Sequence, residues 1–169
     1  MIEAIDWTMA LLRVIAGVVI LAHGVKHARG RIKTAQWFGS IGFRQPELQW
    51  LASTATEIGV GVLLIVGLGT PVAAAGLVAV MVVAFWTVHR SVGFWVTARP
   101  DEGWEYVLVL GTVGTAVAIG GPGEFSIDAM LGIEDSLNGW VGAVLVIGGI
   151  VAAAAQIAAF FRPNETAGT

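Results

Sequence analysis

RVIAGVVILAHGVKHARGRIK, residues 13–33, starts on an arginine, runs through apolar residues past a histidine, and then becomes densely basic. The apolar part, extended back to Trp7, is long enough to cross a hydrocarbon core, which takes roughly 20 residues of helix. Its basic tail then marks the side on which that helix ends. Arg13 and His23 are the groups that such a reading leaves unexplained.

The whole chain repeats this character. Hydrophobic residues make up 56% of its 169 positions and charged residues 12%, against the quarter usual in soluble domains. A polytopic α-helical membrane protein follows, and the segments of strictly alternating polarity that a transmembrane barrel needs are absent. With no cysteine, the chain carries no disulfide, thiol relay or Cys-ligated metal of its own. Acidic Glu3 and Asp6, rather than a basic segment, precede the first apolar run, so we expect an uncleaved first span.

Five spans are expected, over residues 7–27, 49–69, 72–90, 104–120 and 138–161. GLGTPVAA forces a tight reversal between spans two and three, because Gly67 and Gly69 finish one helix and Pro71 starts the next. After span four, GGPG at 120–123 leads into EFSIDAMLGIEDSL, expected to lie along the surface. Lys26, Arg29, Arg31, Lys33, Arg44, Arg90, Arg99 and Arg162 all fall on one side of this plan. Glu3, Asp6, Glu124, Asp128, Glu134 and Asp135 fall on the other. The positive-inside rule then puts the N-terminus outside and the C-terminus inside, and only an odd number of spans keeps the separation complete. Trp7, Trp50, Trp104 and Trp140 sit near span ends as interfacial anchors would.

Ionisable groups within spans are costly and usually face the bundle. By helical rise, Arg13 lies in the outer part of span one, His23 and His27 toward its inner end, and Glu57 well inside span two. His89 ends span three and Glu105 opens span four. An inner cluster of His23, His89 and Glu105 is therefore expected, with Glu57 and Arg13 reaching toward the middle. They can form a charge pair if spans one and two are neighbours; the alternatives are an Arg13 that snorkels to the outer headgroups and a protonated, hydrogen-bonded Glu57. Glu57 shares a helical stripe with Ser53, Thr54 and Gly61, which reads as a polar interior face. Phe85 and Trp86 give His89 an aromatic floor. Span five has no ionisable group, and its Gly142, Gly148, Gly149, Ala152 and Gln156 read as a packing face. There is no phosphate loop, no HExxH and no carboxylate cluster with metal spacing. KHARGRIK beside a span is a topology signal and an anionic-lipid contact rather than a nucleic-acid patch.

In order, LLRVIAGVVILAHGVKH (11–27), TAQWFGSIGF (34–43), ATEIGVGVLLIVGLGTP (55–71), VHRSVGF (88–94), GWEYVLVL (103–110) and GPGEFSID (121–128) resemble the DoxX family. That resemblance implies a four-helix membrane domain over 1–128. Residues 129–169 would then hold a surface segment, a fifth transmembrane helix that departs from the family pattern, and a short cytoplasmic tail. It also implies a place in the cell membrane and an association with quinone-linked or thiol-linked redox chemistry. His23, Glu57, His89 and Glu105 are the candidate catalytic residues, and Arg13, His23, Trp86 and His89 the candidates for holding a quinone. His23 or His89 would hydrogen-bond its carbonyl, Glu57 or Glu105 would take its protons, and Arg13 would balance Glu57. Electrons would come from a redox partner protein or subunit, with the lipid bilayer and a homo-oligomer as further associations and no metal site. Whether the chain is itself an oxidoreductase stays open. So do three rival classes: a non-catalytic scaffold, a proton-coupled transporter, and a haem protein ligated by His23 and His89.

Overall fold

The glycines of the 67–71 reversal show why the chain folds as it does. In the computed structural model, which describes residues 3–163, helix α3 (Pro46–Val66) begins on Pro46 and ends at Gly67 in the left-handed conformation. Helix α4 (Thr70–Ala84) starts immediately after Gly69, also left-handed, with Pro71 in its first turn. α1 (Ala4–Arg29) carries a capping box in which Glu3 N–H donates to the Asp6 carboxylate at 2.8 Å. α2 (Arg31–Ser40) is a short helix between α1 and α3. α4 continues as one π-helical turn, Phe85–His89, before a loop leads to α5 (Glu105–Gly120). A single turn, α6 (Ile127–Met130), precedes α7 (Gly139–Phe160).

The expected all-helical membrane bundle is what the structure shows. Four helices are long and apolar enough to span a membrane: α1, α3, α4 with its π turn, and α7. α5, the expected fourth span, has 16 residues and reaches about 24 Å. It nevertheless runs from one end of the bundle to the other. Trp104 at its start packs on Phe85 at the end of α4, and Gly120 at its end lies against Met9 of α1. α4 is the central helix, with Ala73, Ala74, Ala75, Leu77, Val78 and Met81 buried among α3, α5 and α7.

In lipid, helix association rests on close packing rather than on escape from water. α1 and α3 accordingly cross through Gly17, Gly24 and Gly61. A Cβ on Gly17 would meet the Gly61 carbonyl at 2.9 Å, and one on Gly24 would meet Ile58 N at 2.9 Å and Glu57 Cβ at 3.0 Å. Of the small residues expected to pack in the fifth span, Gly142 sits on Ala118 and Gly149 on Ala75, whereas Gly148 has open space before it. The far end of α7 is also tied down: Phe43 and Phe161 form a β-bridge, Arg44 N–H donates to the Phe160 carbonyl and Gln156 donates to Gln49 at 2.8 Å. The short tail expected after α7 lies, from residue 164, outside the described residues.

The two ends of the bundle differ. At one end Arg13, fully buried inside α1, donates from Nε to Pro122 O (3.1 Å), from one terminal nitrogen to Leu64 O (2.9 Å) and Ile65 O (2.7 Å), and from the other to Phe125 O. Asp128 accepts from the free N–H groups of Gly69 (2.7 Å) and Thr70 (2.9 Å), capping α4 from a distance in sequence. Ser126 caps α6 through Ala129 N–H. The GPGEFSID segment is thus a plug, clamped by Arg13 on one side and by the start of α4 on the other. Gly67 leaves room for it: with φ +70°, a Cβ there would lie 2.5 Å from Ser126 Cβ and 2.9 Å from Arg13 Cζ. Gly67→Ala should therefore cost roughly 2–4 kcal/mol from left-handed strain plus overpacking, read as a lower unfolding temperature in detergent.

This geometry corrects the expected Arg13–Glu57 pair. Gly24 packs directly against Glu57, so in the antiparallel register Glu57 lies about 16 Å along α1 from Arg13. Arg13 is satisfied by backbone carbonyls, and Glu57 finds another partner.

Candidate functional site

At the other end, the end that carries the cationic loops, α1, α2, α3, α4 and its π turn, α5 and α7 enclose a cavity of about 360 Å³. All three histidines of the chain, His23, His27 and His89, line it together with Glu57 and Tyr106. Its remaining wall is mostly aliphatic and aromatic, with Ile20, Trp37, Phe38 and Met81 among its residues.

Glu57 has a polar neighbour at each oxygen. Ser53, one helical turn earlier, donates to Oε1 at 2.8 Å, and His27 Nδ1 lies 2.9 Å from Oε2. The Gly24 crossing makes this possible, because the missing side chain brings the α3 backbone against α1 one turn before His27. With the proton on Nδ1, the nitrogen beside the carboxylate, Nε2 of a neutral His27 is an acceptor with no protein partner among the described residues. Phe38 of α2 meets the same imidazole edge-on, with ring centroids 6.5 Å apart. His23, one turn back on α1, is exposed and also faces the cavity.

The π turn sets the opposite wall. Its extra residue shifts the hydrogen bonding by one, so Arg90 N–H donates to Phe85 O at 2.9 Å. His89 is buried, with Nδ1 2.6 Å from the Glu102 carbonyl and Nε2 3.0 Å from the Tyr106 hydroxyl. A carbonyl can only accept, so Nδ1 is the protonated nitrogen. Neutral Nε2 then accepts from Tyr106 O–H. The Tyr106 ring stands edge-on to the imidazole at 5.2 Å.

The expected site residues thus separate. His23, Glu57 and His89 come together at the cavity. Glu105 does not join them: its carboxylate turns back to accept from Val96 N–H at 3.0 Å, which fixes the 91–104 loop to the start of α5. Adjacent helical residues point about 100° apart, so only one of Glu105 and Tyr106 can face inward, and it is Tyr106. Trp86 lies on the outer face of the π turn, exposed and covered by the Arg90 guanidinium at 4.3 Å from its ring centroid. Arg13 is at the far end in the plug.

A family model described as DoxX matches residues 8–90. A relative from Bacillus subtilis (strain 168), named "Putative oxidoreductase CatD", is 33% identical over 107 residues, which covers 63% of this chain and 75% of the relative. The chain belongs to the DoxX family. No solved structure matches it. Within this DoxX protein the family match includes Arg13, all three histidines and Glu57, and stops short of Tyr106 and α7.

Sequence reasoning passed over three residues of the DoxX cavity. His27 carried a signal, since it shares the α1 face of Gly17 and Gly24, the face that α3 covers. Tyr106 carried only its place beside Glu105. Gln156 was placed on a packing face, and it does pack, through Gln49, while also lining the cavity.

Proposed function

We propose that this DoxX protein is a redox-associated subunit of the cell membrane that holds a quinone-like ring in the histidine cavity. The observation that carries this reading is the convergence of every histidine in the chain with Glu57 and Tyr106 on one cavity whose other walls are mostly apolar. Such a lining suits a flat, oxygen-edged ring: apolar sides for its faces and a few fixed polar groups for its edge. The segregated charges support a cytoplasmic position for the cavity end, with the N-terminus outside. The oxidoreductase name of the Bacillus subtilis relative supports the redox assignment.

A quinone supplies two-electron, two-proton chemistry when bound, and electron exchange needs a partner because the chain has no cysteine. This chain's residues would bind and protonate. A ring hydroxyl can give its proton to the Tyr106 oxygen as Tyr106 passes its own to His89 Nε2, and the reverse relay, starting from a protonated His89, delivers a proton to a ring oxygen. His27 Nε2 accepts a ring hydroxyl proton, and Glu57 stabilises the imidazolium that results. The haem alternative is less favoured here, because His89 Nε2 would have to give up the Tyr106 hydroxyl to reach an iron.

Trp37 lines the cavity, so a bound quinone should quench its fluorescence. In purified protein we expect saturable quenching by a methylated benzoquinone, lost in Trp37→Phe, and no Soret band in the same sample. Tyr106→Phe should weaken binding about tenfold, as loss of one hydrogen bond of about 1–1.5 kcal/mol requires. Absence of saturable quenching would remove the quinone reading and leave a scaffold role.

A further inference from the structure

A second hollow lies against the first. α4 and α5 form a groove of about 620 Å³ lined by Val78, Met81, Phe85, Trp104, Leu108 and Gly111 among others. Met81 lines both the groove and the histidine cavity, so the two spaces adjoin at its side chain. The two spaces differ in chemistry. In the groove, both threonine hydroxyls are turned back onto their own helix, Thr112 to Leu108 O and Thr115 to Gly111 O, each at 2.8 Å. Neither therefore has a proton left to donate to a polar ligand. The cavity beyond Met81 presents three histidines, Glu57 and Tyr106.

Resting on the ring-binding reading above, we infer that the ligand is an amphiphile, with its oxygen-bearing ring in the histidine cavity and its hydrocarbon tail along the α4–α5 groove, passing Met81. A cavity that carries polar groups and an apolar groove that adjoin at Met81 match the two halves of such a molecule. Methionine suits this junction, because an unbranched side chain with three rotatable bonds moves aside with little strain. Gly111 contributes width: a Cβ there would first meet Met81 Cβ at 3.8 Å, so the groove is open at this point and a larger side chain would fill it. The tail would leave the protein sideways into the bilayer, where a long-chain ligand is already dissolved.

The test compares two probes on the full-length protein in mild detergent: a tail-less methylated benzoquinone and the same ring with a ten-carbon chain. Gly111→Leu and Ala116→Leu each fill the groove at a position that tolerates a side chain. We expect both variants to bind the ten-carbon probe about tenfold more weakly, as loss of burial of a few methylenes predicts, and the tail-less ring as the wild type does. Equal loss for both probes, or no loss for either, overturns the inference, the second outcome meaning that the groove holds ordinary acyl lipid. If the wild type does not bind the tail-less ring, the reading of the cavity itself fails.

Discussion

Arg13→Ala is expected to destabilise this protein by about 3–5 kcal/mol, the range for removing one partner from a buried charged network. The guanidinium joins two separate pieces of chain to α1: the end of α3 through Leu64 and Ile65, and the plug through Pro122 and Phe125. Its loss leaves those carbonyls buried and unpaired, where neither water nor lipid replaces the donor. Arg13→Lys should recover only part of the stability, because an ammonium is a compact point charge and cannot span carbonyls arranged around a planar fork. Thermal unfolding in detergent reads both variants. Ring binding by the folded fraction should be unchanged, since the histidine cavity lies at the opposite end of α1. A mild effect of Arg13→Ala on stability would mean that the plug is held by its other contacts, Asp128 on Gly69 and Thr70 and Trp7 on Phe125.

Glu57→Gln is expected to have the largest effect on the cavity. The amide keeps the volume and can keep the Ser53 bond through its oxygen, yet it sets an N–H₂ donor toward His27 if that oxygen stays on Ser53. His27 then gains by moving its proton to Nε2, and the acceptor facing the cavity disappears. Loss of a charge-assisted bond worth about 1.5–3 kcal/mol predicts a tenfold to hundredfold fall in ring affinity by Trp37 quenching. Nitrogen chemical shifts of His27 should report the tautomer change directly. Unchanged affinity together with a changed tautomer would assign Glu57 to helix packing and favour the scaffold reading.

The helices and the charge segregation were legible because each depends on properties summed over many residues: apolar length, glycine and proline at the 67–71 reversal, and the basic loops. The site was legible only as residue types. Depth along a helix allowed Arg13 to reach Glu57, but the actual register is fixed by which glycines interlock. Gly24 against Glu57 gave the carboxylate to His27 instead. Glu105 and Tyr106 show a second limit: an expensive charge at a span end draws attention, while the loop backbone that satisfies it, Val96 N–H, is invisible before folding. The plug was invisible for a similar reason. Asp128 and Arg13 lie more than a hundred residues apart, and both serve backbone groups, which no side-chain pattern announces.

α7 changes what surrounds the cavity. Ala152, Ala153 and Gln156 make part of its lining, while Gly142 and Gly149 press the helix onto the backbones of α5 and α4. A chain ending at Asp128 would expose this side of α4 to acyl tails and leave the cavity without that wall. Here the missing stave is covalently attached. The histidine cavity thereby takes one of its walls from its own polypeptide, at fixed stoichiometry.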